Sequence, residues 1–129
     1  MTRSSRVLVV DDDPCGLEGL CEWLSGCGFD THAASDGRRA LEIAFTRRPD
    51  IIITDLSLPD GDACDVIRRV KATQIGAVVI AFSGWHHLEA AARDAGADAF
   101  VLKPDVDALE SLLFGLRQAR AMQDVRRAR

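Results

Sequence analysis

Residues 51–59 read Ile51-Ile52-Ile53-Thr54-Asp55-Leu56-Ser57-Leu58-Pro59. Three consecutive β-branched residues favour a strand. An apolar run without alternation implies that both faces are covered, as in a parallel sheet with helices above and below. Asp55 stands where that strand ends, and Pro59 bars a simple continuation. In open parallel sheets ligands sit beyond the carboxyl ends of the strands. Asp55 therefore marks a candidate site, and the other strand ends decide what shares it.

Arg6-Val7-Leu8-Val9-Val10 is a second apolar strand, running into Asp11-Asp12-Asp13-Pro14. One of these aspartates is expected to cap the next helix, with Pro14 in its first turn. Leu17, Leu20, Cys21 and Leu24 give that helix one apolar stripe, and Gly26 and Gly28 mark its end. Phe29 to Ala34 mixes polar and apolar residues, as an edge strand does. Ser35-Asp36-Gly37 reads as turn and cap, Ala40, Leu41, Ala44 and Phe45 as a second helix, and Pro49 as its stop. Ser57 to Gly61 reads as a loop into a third helix carrying Ala63, Val66, Ile67 and Val70. Ala77 to Phe82 forms a fourth strand meeting Ser83-Gly84. A helix with Leu88, Ala91, Ala92 and Ala95 closes at Gly96. Ala99 to Leu102 meets Lys103-Pro104, and Leu109, Leu112, Leu113 and Leu116 stripe the last helix. Five strand–helix units in strict alternation define an α/β, doubly wound, five-stranded parallel sheet with helices on both faces.

The 129 residues suit one domain, long enough to bury roughly two thirds of the unfolded surface. Residues 1–5 are expected to be a frayed polar lead, residues 1–121 the domain, and 122–129 an Arg-rich C-terminal tail, frayed or a truncated linker. The net charge of −4 speaks against direct nucleic-acid binding. With no membrane-length apolar run and no signal-peptide pattern, no membrane association and a cytoplasmic location are expected. Cys15, Cys21, Cys27 and Cys64 lack zinc-site spacing and read as reduced thiols filling apolar space. Of sixteen cationic side chains fourteen are Arg, so Lys103 at a strand end stands out as a compact point charge.

Asp11, Asp12, Asp55, Ser83 and Lys103 all lie just beyond strand ends, so the topology gathers them on one rim. Three neighbouring carboxylates either raise a pKa or bind a cation. An all-oxygen set with room for water suits Mg²⁺. Mg²⁺ and Lys103 would together draw a phosphoryl group, with Ser83 a hydroxyl for one of its oxygens and Asp55 the nucleophile.

At these positions the sequence resembles the response-regulator receiver domains of two-component signalling over nearly its whole length. Val-Leu-Val-Val-Asp11-Asp12-Asp13 is similar to the family's first strand and acidic pair, and Asp55-Leu-Ser-Leu-Pro59 to its phosphorylation loop. Ser83 sits at the switch hydroxyl, Phe100 at the switch aromatic, and Lys103-Pro104 at a lysine usually followed by a cis bond. The resemblance implies a flavodoxin-like strand order 2-1-3-4-5. It implies Mg²⁺ held by Asp12, Asp55 and the Ser57 backbone carbonyl, with Asp11 acting through water. It implies a histidine kinase or phosphotransfer protein as donor, and a downstream protein target reading the face of the fourth helix, fifth strand and fifth helix. A phosphorylation-dependent homodimer through the last helices stays open.

The chain departs from the family pattern at Ala63, where Gly is usual, at Asp105, where an apolar residue is commoner, and at Phe100, which lacks the usual Tyr hydroxyl. Trp85 borders the phosphorylation position and is expected to shield an acyl phosphate from water. His86 and His87 read as solvated helix-start residues. Two other readings are a phosphohydrolase using Asp11-x-Asp13, and a receiver-like interaction module that is never phosphorylated. The first leaves Asp55 without a role.

Overall fold

The computed structural model describes residues 4–127. The elements are β1 (Arg6–Val10), α1 (Pro14–Gly26), β2 (Asp30–Ala34), α2 (Gly37–Arg47), β3 (Ile51–Thr54), α3 (Ala63–Ala72), β4 (Val78–Ser83), α4 (Glu89–Ala95), β5 (Ala99–Leu102) and α5 (Val106–Arg127). All five strands are parallel, in the order β2-β1-β3-β4-β5. This is the doubly wound sheet read from the apolar runs, with the implied strand order.

The pleat divides each central strand between two cores. Leu8, Val10, Ile52, Val79 and Ala81 face one side, against Ala40, Ile43 and Ala44 of α2, Ile67 and Val70 of α3, and Ala92 and Ala95 of α4. Val7, Val9, Ile51, Ile53, Ile80 and Val101 face the other, against Leu24 of α1 and Leu109 and Leu113 of α5. Each fully buried Leu or Ile contributes about 1.5–3 kcal/mol. The edge strand β2 buries only Ala34 fully, as its mixed sequence implied.

Several local expectations are corrected. Ser57–Leu58 and Gly61–Asp62 form a short antiparallel ladder rather than open loop, joined by Pro59-Asp60, with Gly61 at φ +140°. Asp13 occupies the cap position of α1, but its side chain makes no capping hydrogen bond. Asp36 does cap α2, accepting the Arg39 N–H at 2.7 Å. The second helix ends at Arg47, where Arg48 turns left-handed before Pro49. Ser5 is buried rather than frayed, its carbonyl accepting Asp30 N–H and its hydroxyl the Arg120 guanidinium. Of the cysteines, all thiols, Cys64 is buried and Cys21 half-buried, while Cys15 and Cys27 are exposed and fill nothing.

The last helix runs unbroken through Arg127, and its arginines are not all solvated. Arg117 stacks on Phe29 and Phe114 and donates to the Cys27 carbonyl, while Arg120 pairs with Asp50 at 2.9 Å. Residues 1–3 and 128–129 of the proposed lead and tail lie outside the described residues. No described helix is long and apolar enough to cross a membrane.

Candidate functional site

The strand register decides which side chains share the carboxyl rim. Val10 lies opposite Thr54 in the β1–β3 pair, so Asp11 and Asp55 leave adjacent strands at the same level. Backbone bonds hold both there: Asp55 N–H donates to Val10 C=O at 2.9 Å, and Asp11 N–H to Ala34 C=O at 3.1 Å. Helical crossovers leave β1 and β3 toward opposite faces, which opens a crevice between them. One carboxylate oxygen from each of Asp11, Asp12 and Asp55 lies within 4.8 Å of the other two in that crevice.

Ser83 and Leu102 are register partners, so Lys103 follows at the same rim, its N–H donating to Ser83 C=O at 2.9 Å. The Lys103–Pro104 bond is cis. The Lys103 Nζ donates to Asp11 Oδ2 at 3.0 Å and to Asp55 Oδ2 at 3.3 Å. Burial works against its charge, yet the hydrogen bond to Asp11 and the charges of Asp55 and Asp11 outweigh burial and hold its pKa above the usual lysine value. Nζ also lies 5.5 Å from the centre of the Phe82 ring.

The oxygens of the two bridged carboxylates divide their work. Asp11 Oδ1 accepts Asp13 N–H at 3.0 Å, while Oδ2 takes Lys103. Asp55 Oδ1 accepts Leu56 N–H at 2.7 Å, while Oδ2 takes Lys103. Asp12 is exposed. Gly16 of α1 keeps space beside this group, because an added Cβ would come 3.1 Å from Asp13 Oδ2 and 3.6 Å from Asp11 Oδ2.

The structure thus brings together Asp11, Asp12, Asp55 and Lys103. Ser83 reaches the rim fully buried, and its Oγ accepts Trp85 N–H at 3.2 Å. Ser57 is exposed, its N–H 3.5 Å from Asp55 Oδ1. Phe100 is not at the carboxylates; it lies half-buried against the core under α2, α3 and α4. Trp85 is 59% exposed, its ring edge-on to His87, and His86 and His87 form an exposed 3-10 turn. Sequence reasoning missed Phe82 and Gly16. Phe82 was hidden in an apolar strand, and Gly16 had only its place after the acidic run as a signal.

A fold and rim of this kind define a receiver. The family model described as response regulator receiver domain matches residues 7–114, and the chain belongs to that family. Response regulator MprA of Mycolicibacterium vanbaalenii is 36% identical over 114 residues, which cover 87% of this chain and 48% of MprA. The DNA-binding response regulator MtrA of Mycolicibacterium smegmatis is 38% identical over 104 residues, covering 80% of this chain and 46% of MtrA. The chain spans about half the length of these relatives. Among solved structures, the receiver domain of a putative Luxo repressor protein from Vibrio parahaemolyticus superposes with TM-score 0.83 at 26% identity, covering 95% and 96% of the two chains. Response regulator TrrA from Thermotoga maritima, in complex with Mg(2+)-BeF, gives TM-score 0.80 at 28% identity, covering 87% and 98%.

Proposed function

We propose that Asp55 accepts a phosphoryl group from a phosphohistidine on a sensor kinase or phosphotransfer protein, with Mg²⁺ required. The observation that carries this reading is the single ammonium of Lys103 shared between Asp11 and Asp55 inside a three-carboxylate crevice. The donor set fits the ion, being oxygen-only and open to water on the Asp12 side. Asp12, Asp55 and the Ser57 carbonyl would hold the ion directly. Asp11 would act through water, as the family resemblance implies. Mg²⁺ there would neutralise charge on the transferred group.

Asp55 Oδ forms the new bond to phosphorus as the bond from phosphorus to the donor imidazole nitrogen breaks, the electron pair leaving on that nitrogen. Lys103 then exchanges its contact with Asp55 for a phosphoryl oxygen, keeping Asp11 as its anchor. Ser83 turns its hydroxyl from Trp85 N–H toward another phosphoryl oxygen. These contacts exist only in the phosphorylated state, and they shift Phe100 and the α4–β5–α5 face toward a form that a downstream protein reads. The reading makes the chain a phosphoacceptor rather than a turnover enzyme. It places residues 1–121 in the receiver and 122–129 in an Arg-rich C-terminal tail, with a cytoplasmic location as a further part.

Intact-mass measurement after acetyl phosphate with Mg²⁺ tests it. One added phosphoryl group is expected on the wild type, and none on Asp55→Asn or without Mg²⁺. A modified Asp55→Asn chain overturns the assignment.

A further inference from the structure

Asp60 lies outside the acidic crevice, yet both of its carboxylate oxygens are engaged by another element. Its Oδ1 accepts Gly37 N–H at 2.8 Å and its Oδ2 accepts Arg38 N–H at 2.9 Å. Those are the first two amides of α2, groups with no partner inside the helix. Asp36 takes the third, at Arg39. The two amides hold the Asp60 carboxyl below its ordinary pKa.

The space for this contact is built in. A Cβ on Gly37 would meet Val66 Cγ2 at 3.1 Å and Asp60 Oδ1 at 3.2 Å, so glycine leaves the approach open. Asp60 itself lies in the two-residue turn Pro59-Asp60, across which Leu58 pairs with Gly61 and Ser57 with Asp62, Gly61 standing at φ +140°. The segment is therefore fixed at one end by Asp55 just beyond β3, in the middle by buried Leu56 and Leu58, and at the far end by the Asp60 carboxylate on the first amides of α2. Ser57 lies exposed between those anchors.

We infer that Asp60 is a positioning residue, a bidentate tie from α2 to the β3–α3 loop that fixes the Ser57 carbonyl beside the acidic cluster. The inference rests on the reading of that cluster as a Mg²⁺ site. An outer partner of this kind acts through loop geometry and touches neither the ion nor the phosphoryl group.

Amide hydrogen exchange and Mg²⁺ titration are measured on the full chain, on Asp60→Ala, on Asp60→Asn and on Asp65→Ala. Asp65 is an exposed acid on α3 paired with Arg68, so its loss matches the charge change without freeing the loop. In Asp60→Ala the Leu56 and Ser57 amides are expected to exchange about tenfold faster, with Val79 and Ile80 of β4 unchanged. Mg²⁺ binding weakens about tenfold. Asp60→Asn, which keeps one acceptor oxygen, falls between, and Asp65→Ala matches the wild type. Wild-type exchange at Leu56 and Ser57 in Asp60→Ala overturns the inference. So does equal weakening of Mg²⁺ binding in Asp65→Ala, since charge alone would then explain it. Failure of the wild type to bind Mg²⁺ sinks the reading of the cluster, and the exchange data still decide whether Asp60 holds the loop.

Discussion

Lys103 and Asp11, 92 positions apart in sequence, meet with Nζ 3.0 Å from Oδ2, and the same ammonium lies 3.3 Å from Asp55. One cation thus stands between the carboxylate that would carry the phosphoryl group and the one that would remain free. It competes with any divalent ion for the charge of both. Lys103→Ala should bind Mg²⁺ more tightly than the wild type, because a neighbouring positive charge is gone. The same variant should be phosphorylated by acetyl phosphate about 10²–10³-fold more slowly, since a preorganised cation is lost from the transferred group. Tighter Mg²⁺ binding with unimpaired phosphorylation would remove Lys103 from the chemistry. Lys103→Arg should not restore the rate, because a planar fork cannot replace a point charge between two carboxylates.

Trp85 follows two residues after Ser83, 59% exposed, with its backbone N–H on the Ser83 hydroxyl. If Asp55 carries the phosphoryl group as proposed, a bulky ring bordering it would obstruct the line of approach for attacking water. Trp85→Ala should therefore lose its acyl phosphate faster than the wild type once donor is removed. The decay of the phosphorylated mass over time gives the comparison, and equal or slower decay rejects the shielding role.

Two glycines should respond to alanine with opposite signs. Gly96 ends α4 at φ +116°, and a Cβ there would come 2.9 Å from Lys71 Cγ. Lys71 cannot easily yield, since its Nζ bonds Ala77 C=O and Asp98 Oδ2, and Asp98 in turn accepts Val79 N–H. Gly96→Ala should cost about 1–2 kcal/mol from backbone strain alone. Gly19 is exposed within α1, with nothing within 4 Å of an added Cβ. Gly19→Ala should stabilise by about 0.5–1 kcal/mol. Denaturant midpoints at constant slope measure both.

The strands could be read from sequence because burial on both faces removes alternation: Arg6–Val10, Ile51–Thr54 and Val78–Ser83 are apolar nearly throughout. Their ends then named Asp11, Asp55, Ser83 and Lys103, since register and topology carry strand ends to one edge. What stayed hidden were contacts whose second partner is backbone. The composition around Asp60 gives no hint that it seeks two amides 22 and 23 residues earlier. Arg117 and Arg120 look like a solvated charge run until the Cys27 carbonyl and Asp50 are placed beside them. The ladder at Ser57–Leu58 is too short for any periodicity to show. Lys71 shows the limit of reading rarity as function: it is the only other lysine of the chain, and the structure uses it to join α3 to the start of β4.

The pH dependence of stability follows from two groups shifted in opposite senses. The amides of Gly37 and Arg38 hold the Asp60 carboxyl below its unfolded value. Its contribution is therefore complete above the ordinary carboxylate range, near about 3.9. It is lost as pH falls through the depressed folded value, because the unfolded chain takes up the proton first. Lys103 is the reverse case: burial opposes its charge, but Asp11 and Asp55 raise its folded pKa, so its contribution is complete below the unfolded lysine value and lost only as pH rises through the folded one. The difference in Tm between wild type and Asp60→Asn should be constant from neutral pH down to about 5 and close in stronger acid. Thermal unfolding followed by circular dichroism across the acid range measures the gap, and one that persists unchanged into strong acid means the Asp60 charge does not hold the α2 amides.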